Sequence, residues 1–204
     1  MQGTETTTIV RLGEALPDLV LPAYFPETKT EGEIRLGPSA PEKRWTVLVF
    51  YPADFTFVCP TELADFARHY DAFRALGAEV VGVSTDTVYT HKAWLESEKL
   101  LEGVRFPMAA DHAGRLARAL NIYNETDGTA LRGTFIVDPD GILRAQEVTW
   151  YDVGRNAEET LRLLEAFDFV RKNPGVACPA GWRKGEKALR PGMDLVGKVA
   201  EALK

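Results

Sequence analysis

The chain alternates short, unbroken apolar runs with longer stretches in which apolar residues return every third or fourth position. Trp45 to Tyr51 is nearly continuous in β-branched and aromatic residues and stops at Pro52, the pattern of a strand covered on both faces. Leu63, Phe66, Ala67, Tyr70, Phe73 and Leu76 then recur at helical spacing up to Gly77, which predicts a helix closed by a glycine. Glu79 to Ser84 predicts a second buried strand, Val88 to Leu101 a second helix, Phe106 to Ala110 a short strand and Arg115 to Leu120 a short helix. Thr134 to Val137 and Ile142 to Trp150 flank Asp138-Pro139-Asp140-Gly141, the turn chemistry of a β-hairpin. Ala157, Leu161, Leu164, Phe167 and Val170 mark a long amphipathic helix that starts near Asn156 and is stopped by Asn173-Pro174-Gly175.

The two ends read differently. Gly13 to Pro41 is rich in Pro, Gly and acidic residues around the short apolar groups Leu19-Val20-Leu21 and Ile34-Arg35-Leu36, so small strands and turns are expected there. Beyond Pro174, Pro and Gly interrupt the chain too often for a core element, and only Met193 to Leu203 reads as a terminal helix. Strands alternating with helices and closed by a hairpin predict an α/β domain with a mixed central sheet flanked by helices. The expected organisation is a domain over residues 1–172 and a C-terminal arm over 173–204, a division that 204 residues comfortably support.

Composition narrows the function. The chain is 45% hydrophobic and 26% charged, which excludes a disordered or fibrous protein. Lys plus Arg number 24 against 30 Asp plus Glu, a net charge of -6, so neither nucleic acid nor an anionic membrane is an expected partner. No apolar run reaches the roughly 18 residues of a membrane span, and the N-terminus lacks a basic region followed by an apolar stretch. A cytoplasmic protein is therefore expected. His69, His91 and His112 form no zinc-binding spacing with each other or with the two cysteines, and no metal is expected.

Those cysteines, Cys59 and Cys178, lie far apart in sequence and form no Cys-x-x-Cys pair. Cys59 falls between the first buried strand and the following helix, directly before Pro60, a residue suited to a first helical turn. Unsatisfied N–H groups and the positive end of the helix dipole at such a position favour a thiolate, hence a nucleophile. Thr56 is placed to set a hydroxyl beside the sulfur, and Glu62 to bond back to the helix start as in a capping box.

Phe50-Tyr51-Pro52-Ala53-Asp54-Phe55-Thr56-Phe57-Val58-Cys59-Pro60-Thr61-Glu62-Leu63 closely resembles the active-site segment of the peroxiredoxins, specifically typical two-cysteine enzymes of the alkyl hydroperoxide reductase C type. Val83 to Asp86, Thr90 to Trp94, Arg132 to Asp138, Val153 to Arg155 and Val176 to Trp182 match the same family in order. The resemblance implies a thioredoxin fold and a thiol-dependent peroxidase that reduces hydrogen peroxide and organic hydroperoxides without a bound cofactor. Position by position it implies Cys59 as the peroxidatic cysteine, Thr56 and Arg132 as groups contacting thiolate and peroxide, and Pro52 as a shield against water. Glu62 and Arg155 become supporting groups, and Cys178 the resolving cysteine from the other subunit. A homodimer, further assembled into a ring of dimers through the segment around Thr90, is implied, as is a dithiol or flavoprotein disulfide reductase as electron donor. The chain departs from the family's eukaryotic overoxidation-sensitive members in lacking their Gly-Gly-Leu-Gly insert and their C-terminal Tyr-Phe pair.

Two other readings compete. A thiol–disulfide oxidoreductase is weakened by the lack of a neighbouring thiol to release a mixed disulfide. A ring-forming holdase chaperone or a redox relay to partner proteins is the non-enzymatic reading: peroxide consumption coupled to a dithiol reductant separates the peroxidase from it, and a holdase would keep its aggregation-suppressing activity without Cys59.

Overall fold

The apolar run that ends at Pro52 becomes the middle of a sheet. Residues 8–203 are described in a computed structural model, with strands β1 (Leu19–Phe25), β2 (Thr30–Leu36), β3 (Trp45–Phe50), β4 (Ala78–Ser84), β5 (Met108–Ala110), β6 (Tyr123–Asn124), β7 (Thr129–Ala130), β8 (Arg132–Val137) and β9 (Leu143–Thr149). Helices are α1 (Cys59–Ala75), α2 (Val88–Ser97), α3 (Arg115–Ala119), α4 (Ala157–Lys172) and α5 (Val199–Ala202). Seven strands form one mixed sheet in the order β2-β1-β5-β4-β3-β8-β9, and β6 pairs with β7 alone. Central β4 and β8 are buried along their whole length, as unbroken apolar runs require when both faces are covered. Alternate residues Leu48, Phe50, Val81 and Val83 enter a core cluster with Leu116 and Ala117 of α3, while α1 packs on β4 and α2 on β1 and β5.

Pairing of β3 decides where chemistry can gather. It runs parallel to β4 and antiparallel to β8, with Phe50 opposite both Val83 and Gly133. The last residue of β3 therefore lies beside the first residues of β8, and Arg132 heads that strand next to the loop that leaves β3.

Three local expectations are corrected, and one is extended. The small strands expected before Trp45 are there and form a full hairpin, β1 with β2, that joins the sheet through Ala23 and Tyr24 against β5. Its pattern is weak because Pro22 interrupts β1 and β2 is exposed at five of its seven residues, as an edge strand tolerates. The helix expected over Val88 to Leu101 stops at Ser97, because Glu98 turns extended and its carboxylate accepts from Leu100 N, starting a separate 3-10 turn. Strand β8 begins at Arg132 rather than Thr134. The terminal helix is divided into a 3-10 turn over Met193–Leu195 and α5, with Gly197 at a positive φ between them.

The hairpin turn forms as its residues dictate. Gly141 adopts φ 81° and its N–H donates to the Asp138 carbonyl at 2.9 Å. Asp138 Oδ1 accepts from Asp140 N and Ile142 N at 2.9 and 3.0 Å, and Oδ2 accepts from Arg144 Nε at 2.7 Å. Burial alone would push this carboxyl up, but the Ile142 N–H, Arg144 and the Asp140 N–H outweigh it and hold the group below the usual carboxylate range. A carboxylate depressed on folding stabilises above its unfolded value of about 3.9 and loses that contribution as pH falls through the folded one. Asp138→Ala is expected to cost about 1–3 kcal/mol at pH 7. The gap from wild type should narrow below about pH 4, which urea melts at pH 7 and pH 3 measure directly.

The chain divides into two units, one running to Ala157 and the other starting at Glu158. The second unit contains all of α4 except its first residue, together with the C-terminal segment. Within it Trp182 is buried and stacks near Phe169 at 4.8 Å between ring centroids. Its indole N–H donates to the Glu186 carbonyl, and Arg162 Nη1 donates to the Trp182 carbonyl. Ala177 and Leu189 form a β-bridge. Among the described residues, no helix is long and apolar enough to cross a membrane.

Candidate active site

Helix α1 starts at Cys59, with Pro60 in its first turn and no side-chain bond from its N-cap, Val58. Proline costs nothing there because a first-turn N–H has no intrahelical partner, and the thiol stands at the positive end of a 17-residue helix. Glu62 is one turn further along and so shares the helical face of Cys59.

Cys59 is fully buried. Arg132 Nη1 donates to its Sγ at 3.3 Å and to Glu62 Oε2 at 2.5 Å, while Arg132 Nε donates to the Tyr151 carbonyl at 2.8 Å. The second carboxylate oxygen, Glu62 Oε1, accepts from Arg155 N at 3.0 Å and from Arg155 Nε at 2.8 Å. Arg155 is held in turn by Thr134 Oγ1 at 3.1 Å and the Phe50 carbonyl at 2.7 Å. Each oxygen of Glu62 is thus taken by a different guanidinium, and the planar forks fix the angle at which Arg132 meets the sulfur. Two guanidinium charges against one carboxylate leave an excess of one positive charge, which a thiolate at Cys59 cancels. Burial alone would disfavour the charge on Arg132; the hydrogen bond and charge of Cys59, with Glu62, overcome it and raise the guanidinium above its ordinary value.

Glu62 does not cap the helix. A charged, buried donor binds a carboxylate more strongly than a helix-end N–H, so both oxygens turn to arginine. The Thr56 hydroxyl donates to the Ala53 carbonyl at 2.8 Å. Its single proton is thereby committed, and its oxygen lone pairs remain as acceptors toward the cysteine. Pro52 is half-buried at the exit of β3, and Phe55 and Phe57 are exposed in the same loop, Phe57 at 92%.

Cys178 lies in the second unit, half-buried, with Sγ 3.9 Å from the Ala166 carbonyl. It lines a cavity of about 300 Å³ with Arg162, Leu163, Ala166, Phe167 and Val170. Burial pushes its thiol up, against the pull of Arg162. Both cysteines are free thiols.

The structure brings together Cys59, Glu62, Arg132 and Arg155, and leaves Thr56 and Pro52 in the loop that leads to them. It adds partners that the sequence reading did not name: the Tyr151 carbonyl, Thr134, and the loop contacts of Tyr51, Asp54, Asp86 and His91. Nothing in the linear sequence ties Asp54 to His91 across 37 positions. Among the described residues, no group of three or more His, Cys, Asp or Glu side chains could hold a metal ion.

A buried cysteine at a helix start beneath a carboxylate-braced arginine, on a mixed sheet flanked by helices, defines a thiol enzyme. The AhpC/TSA family profile matches residues 12–146, and a profile described as the C-terminal domain of 1-Cys peroxiredoxin matches residues 166–196, the stretch that includes Cys178. The chain belongs to the AhpC/TSA family and is a peroxiredoxin, a thiol-dependent peroxidase. Alkyl hydroperoxide reductase C of Escherichia coli K12 is 49% identical over 158 residues, which cover 78% of this chain and 84% of that protein. The crystal structure of Enterococcus faecalis AhpC superimposes with a TM-score of 0.76 at 38% identity, over 84% of this chain and 100% of that one. The reduced 2-Cys peroxiredoxin of Plasmodium vivax gives 0.82 at 29% identity, over 90% and 94%. The sheet and its helices are accordingly a thioredoxin fold, as the resemblance implied.

Proposed function

We propose that the chain reduces hydrogen peroxide and small organic hydroperoxides through Cys59 and regenerates the thiol through Cys178. The observation that carries this reading is the 3.3 Å bond from Arg132 Nη1 to Cys59 Sγ, braced by Glu62. The thiolate attacks one peroxide oxygen, a sulfur lone pair makes the S–O bond, and the O–O electron pair leaves with the second oxygen, which is protonated to water or an alcohol. Cys59 is left as a sulfenic acid. Thr56 holds the incoming O–H, Pro52 excludes water, and Arg132 faces the negative charge that grows as the O–O bond stretches. Exposed Phe55 and Phe57 beside this loop suit the apolar tail of an organic hydroperoxide.

The Cys178 thiol of the partner subunit then condenses with the sulfenic acid, releasing water and forming an intersubunit disulfide. The arm over residues 173–204 delivers it. A dithiol or a flavoprotein disulfide reductase returns both cysteines to thiols by two exchange steps. The working unit is a homodimer, assembled into a ring of dimers, in the cytoplasm, and it needs neither metal nor bound cofactor.

A non-reducing gel of the fully reduced protein after one equivalent of hydrogen peroxide tests the cycle. Wild type is expected to run as a covalent dimer whose peptide map links Cys59 to Cys178, and Cys59→Ser and Cys178→Ser to remain monomeric. Wild type that stays monomeric with both thiols free would sink the peroxidase reading. An internal Cys59–Cys178 link would sink the intersubunit step alone.

A further inference from the structure

Beneath the loop that leads to Cys59 lies a buried polar cluster that the proposed chemistry does not use. Tyr51 and His91 are fully buried and Asp54 nearly so. Tyr51 donates its hydroxyl to Asp54 Oδ1 at 2.7 Å, and His91 Nδ1 meets Asp54 Oδ2 at 2.8 Å. His91 Nε2 faces the Ala109 carbonyl at 3.3 Å. Asp54 N donates to Asp86 Oδ2, which also accepts from Ser84 Oγ, both at 2.8 Å. One aspartate is therefore pinned at three atoms, to groups on the exit of β3, the end of β4 and α2, while His91 joins it to β5.

The donor and acceptor count fixes what the pair carries. Both ring nitrogens of His91 face acceptors, so Nε2 bears hydrogen toward Ala109 and a proton lies between Nδ1 and Asp54. Histidine and aspartate together are neutral, which is how a dry site tolerates them. Burial pushing the Asp54 carboxyl up agrees with that shared proton.

The residue after Asp54 is Phe55, at φ 56°. An aromatic residue avoids the left-handed region because its Cβ crowds the neighbouring carbonyl, and it stays there only when its surroundings over-determine the backbone. Here they do: Asp54 is held on one side, and on the other the Thr56 hydroxyl closes back on the Ala53 carbonyl. The Phe55 ring lies 6.3 Å from Trp94, which in turn is 5.7 Å from Tyr51.

We infer that Asp54 and His91 are positioning residues for peroxide reduction, holding Phe55 in its left-handed turn and thereby setting the loop that presents Thr56 and Cys59. The inference rests on the peroxidase reading above. It makes the two chemical steps respond in opposite directions. Attack on peroxide needs Cys59 seated under Arg132, whereas a disulfide needs the buried sulfur to leave that seat, since the S–S bond is about 2.05 Å. Loosening the turn should slow the first step and speed the second.

Stopped-flow tryptophan fluorescence on the full chain, with Trp94 beside Phe55, separates the two rates. Asp54→Ala and His91→Phe are expected to lower the second-order constant for hydrogen peroxide about 10- to 100-fold, the scale of a misplaced reacting group. Disulfide formation should be faster than in wild type. Asp54→Asn is the rescue, because its amide can accept from Tyr51 and donate to neutral His91, whose Nε2–H still reaches Ala109. It should stay within about threefold of wild type on both rates. Folded Asp54→Ala and His91→Phe proteins with the wild-type peroxide constant would overturn the inference, as would Asp54→Asn as slow as Asp54→Ala. If the larger substitutions fail to fold, Tyr51→Phe removes one hydroxyl only and decides by the same two rates. Wild type that does not react with peroxide would instead count against the peroxidase reading.

Discussion

Cys59→Ser is expected to abolish peroxide reduction in an assay coupled to a dithiol reductant, while the protein stays folded. The reaction consumes a sulfur lone pair and leaves sulfur oxidised, and a serine hydroxyl has neither the nucleophilicity at neutral pH nor an oxidation state to enter. Cys178 is not expected to take over: burial pushes its thiol up against the pull of Arg162, whose Nε and Nη2 are already committed to Glu159 at 2.7 Å each. Serine is smaller than cysteine and its oxygen can accept from Arg132 Nη1, so the buried site keeps a bond. A hydroxyl carries no charge at neutral pH with which to balance the excess of Arg132 and Arg155 over Glu62. Thermal melts beside the activity assay read both effects. Residual peroxide turnover in a folded Cys59→Ser protein would show that another group is the nucleophile.

Arg132→Met is expected to lower kcat/KM for hydrogen peroxide about 10²–10³-fold, the scale for losing one preorganised donor to developing charge, or about 2.7–4 kcal/mol. Methionine fills similar space without the charge, so Glu62 keeps its two bonds to Arg155 but loses Arg132. Arg132→Lys should recover only part of the rate. The native guanidinium serves Cys59 and Glu62 through Nη1 and the Tyr151 carbonyl through Nε, and a single ammonium on a flexible stem cannot reproduce that fork. Initial rates at several peroxide concentrations, with circular dichroism as the control for folding, measure the effect. Wild-type rates in a folded Arg132→Met protein would remove the arginine from the chemistry.

How far the sequence carried the reading differs from element to element. Long periodic segments were legible because burial imposes their pattern: β3, β4, α1 and the hairpin turn at Asp138-Pro139-Asp140-Gly141 all lie where apolar spacing and turn chemistry put them. Edge elements were legible only in part: Leu19-Val20-Leu21 and Ile34-Arg35-Leu36 mark the apolar portions of β1 and β2, but Pro22 and the exposed Thr30 to Glu33 hide the rest of that hairpin, and the two-residue strands of the β6–β7 pair are too short to show a period. Helix α2 ended early through one side-chain contact from Glu98, a local event that average spacing does not register.

The candidate site divides the same way. By itself the sequence determined that a cysteine stands at the start of α1 with a carboxylate one turn away, because a proline in the first turn, helical periodicity and the apolar strand before it are all local properties of the chain. It also carried, in the motif from Phe50 to Leu63, the resemblance to the peroxiredoxins. Only the tertiary structure decided that Glu62 faces two guanidiniums instead of capping its helix, that Thr56 spends its proton on Ala53, and that Asp54 is locked to His91 under a left-handed Phe55. Those outcomes depend on which groups the sheet register brings together: Arg132 lies 73 residues from Cys59 and Arg155 lies 93 from Glu62. A buried charge takes the strongest partner within reach, and reach is a property of the folded chain.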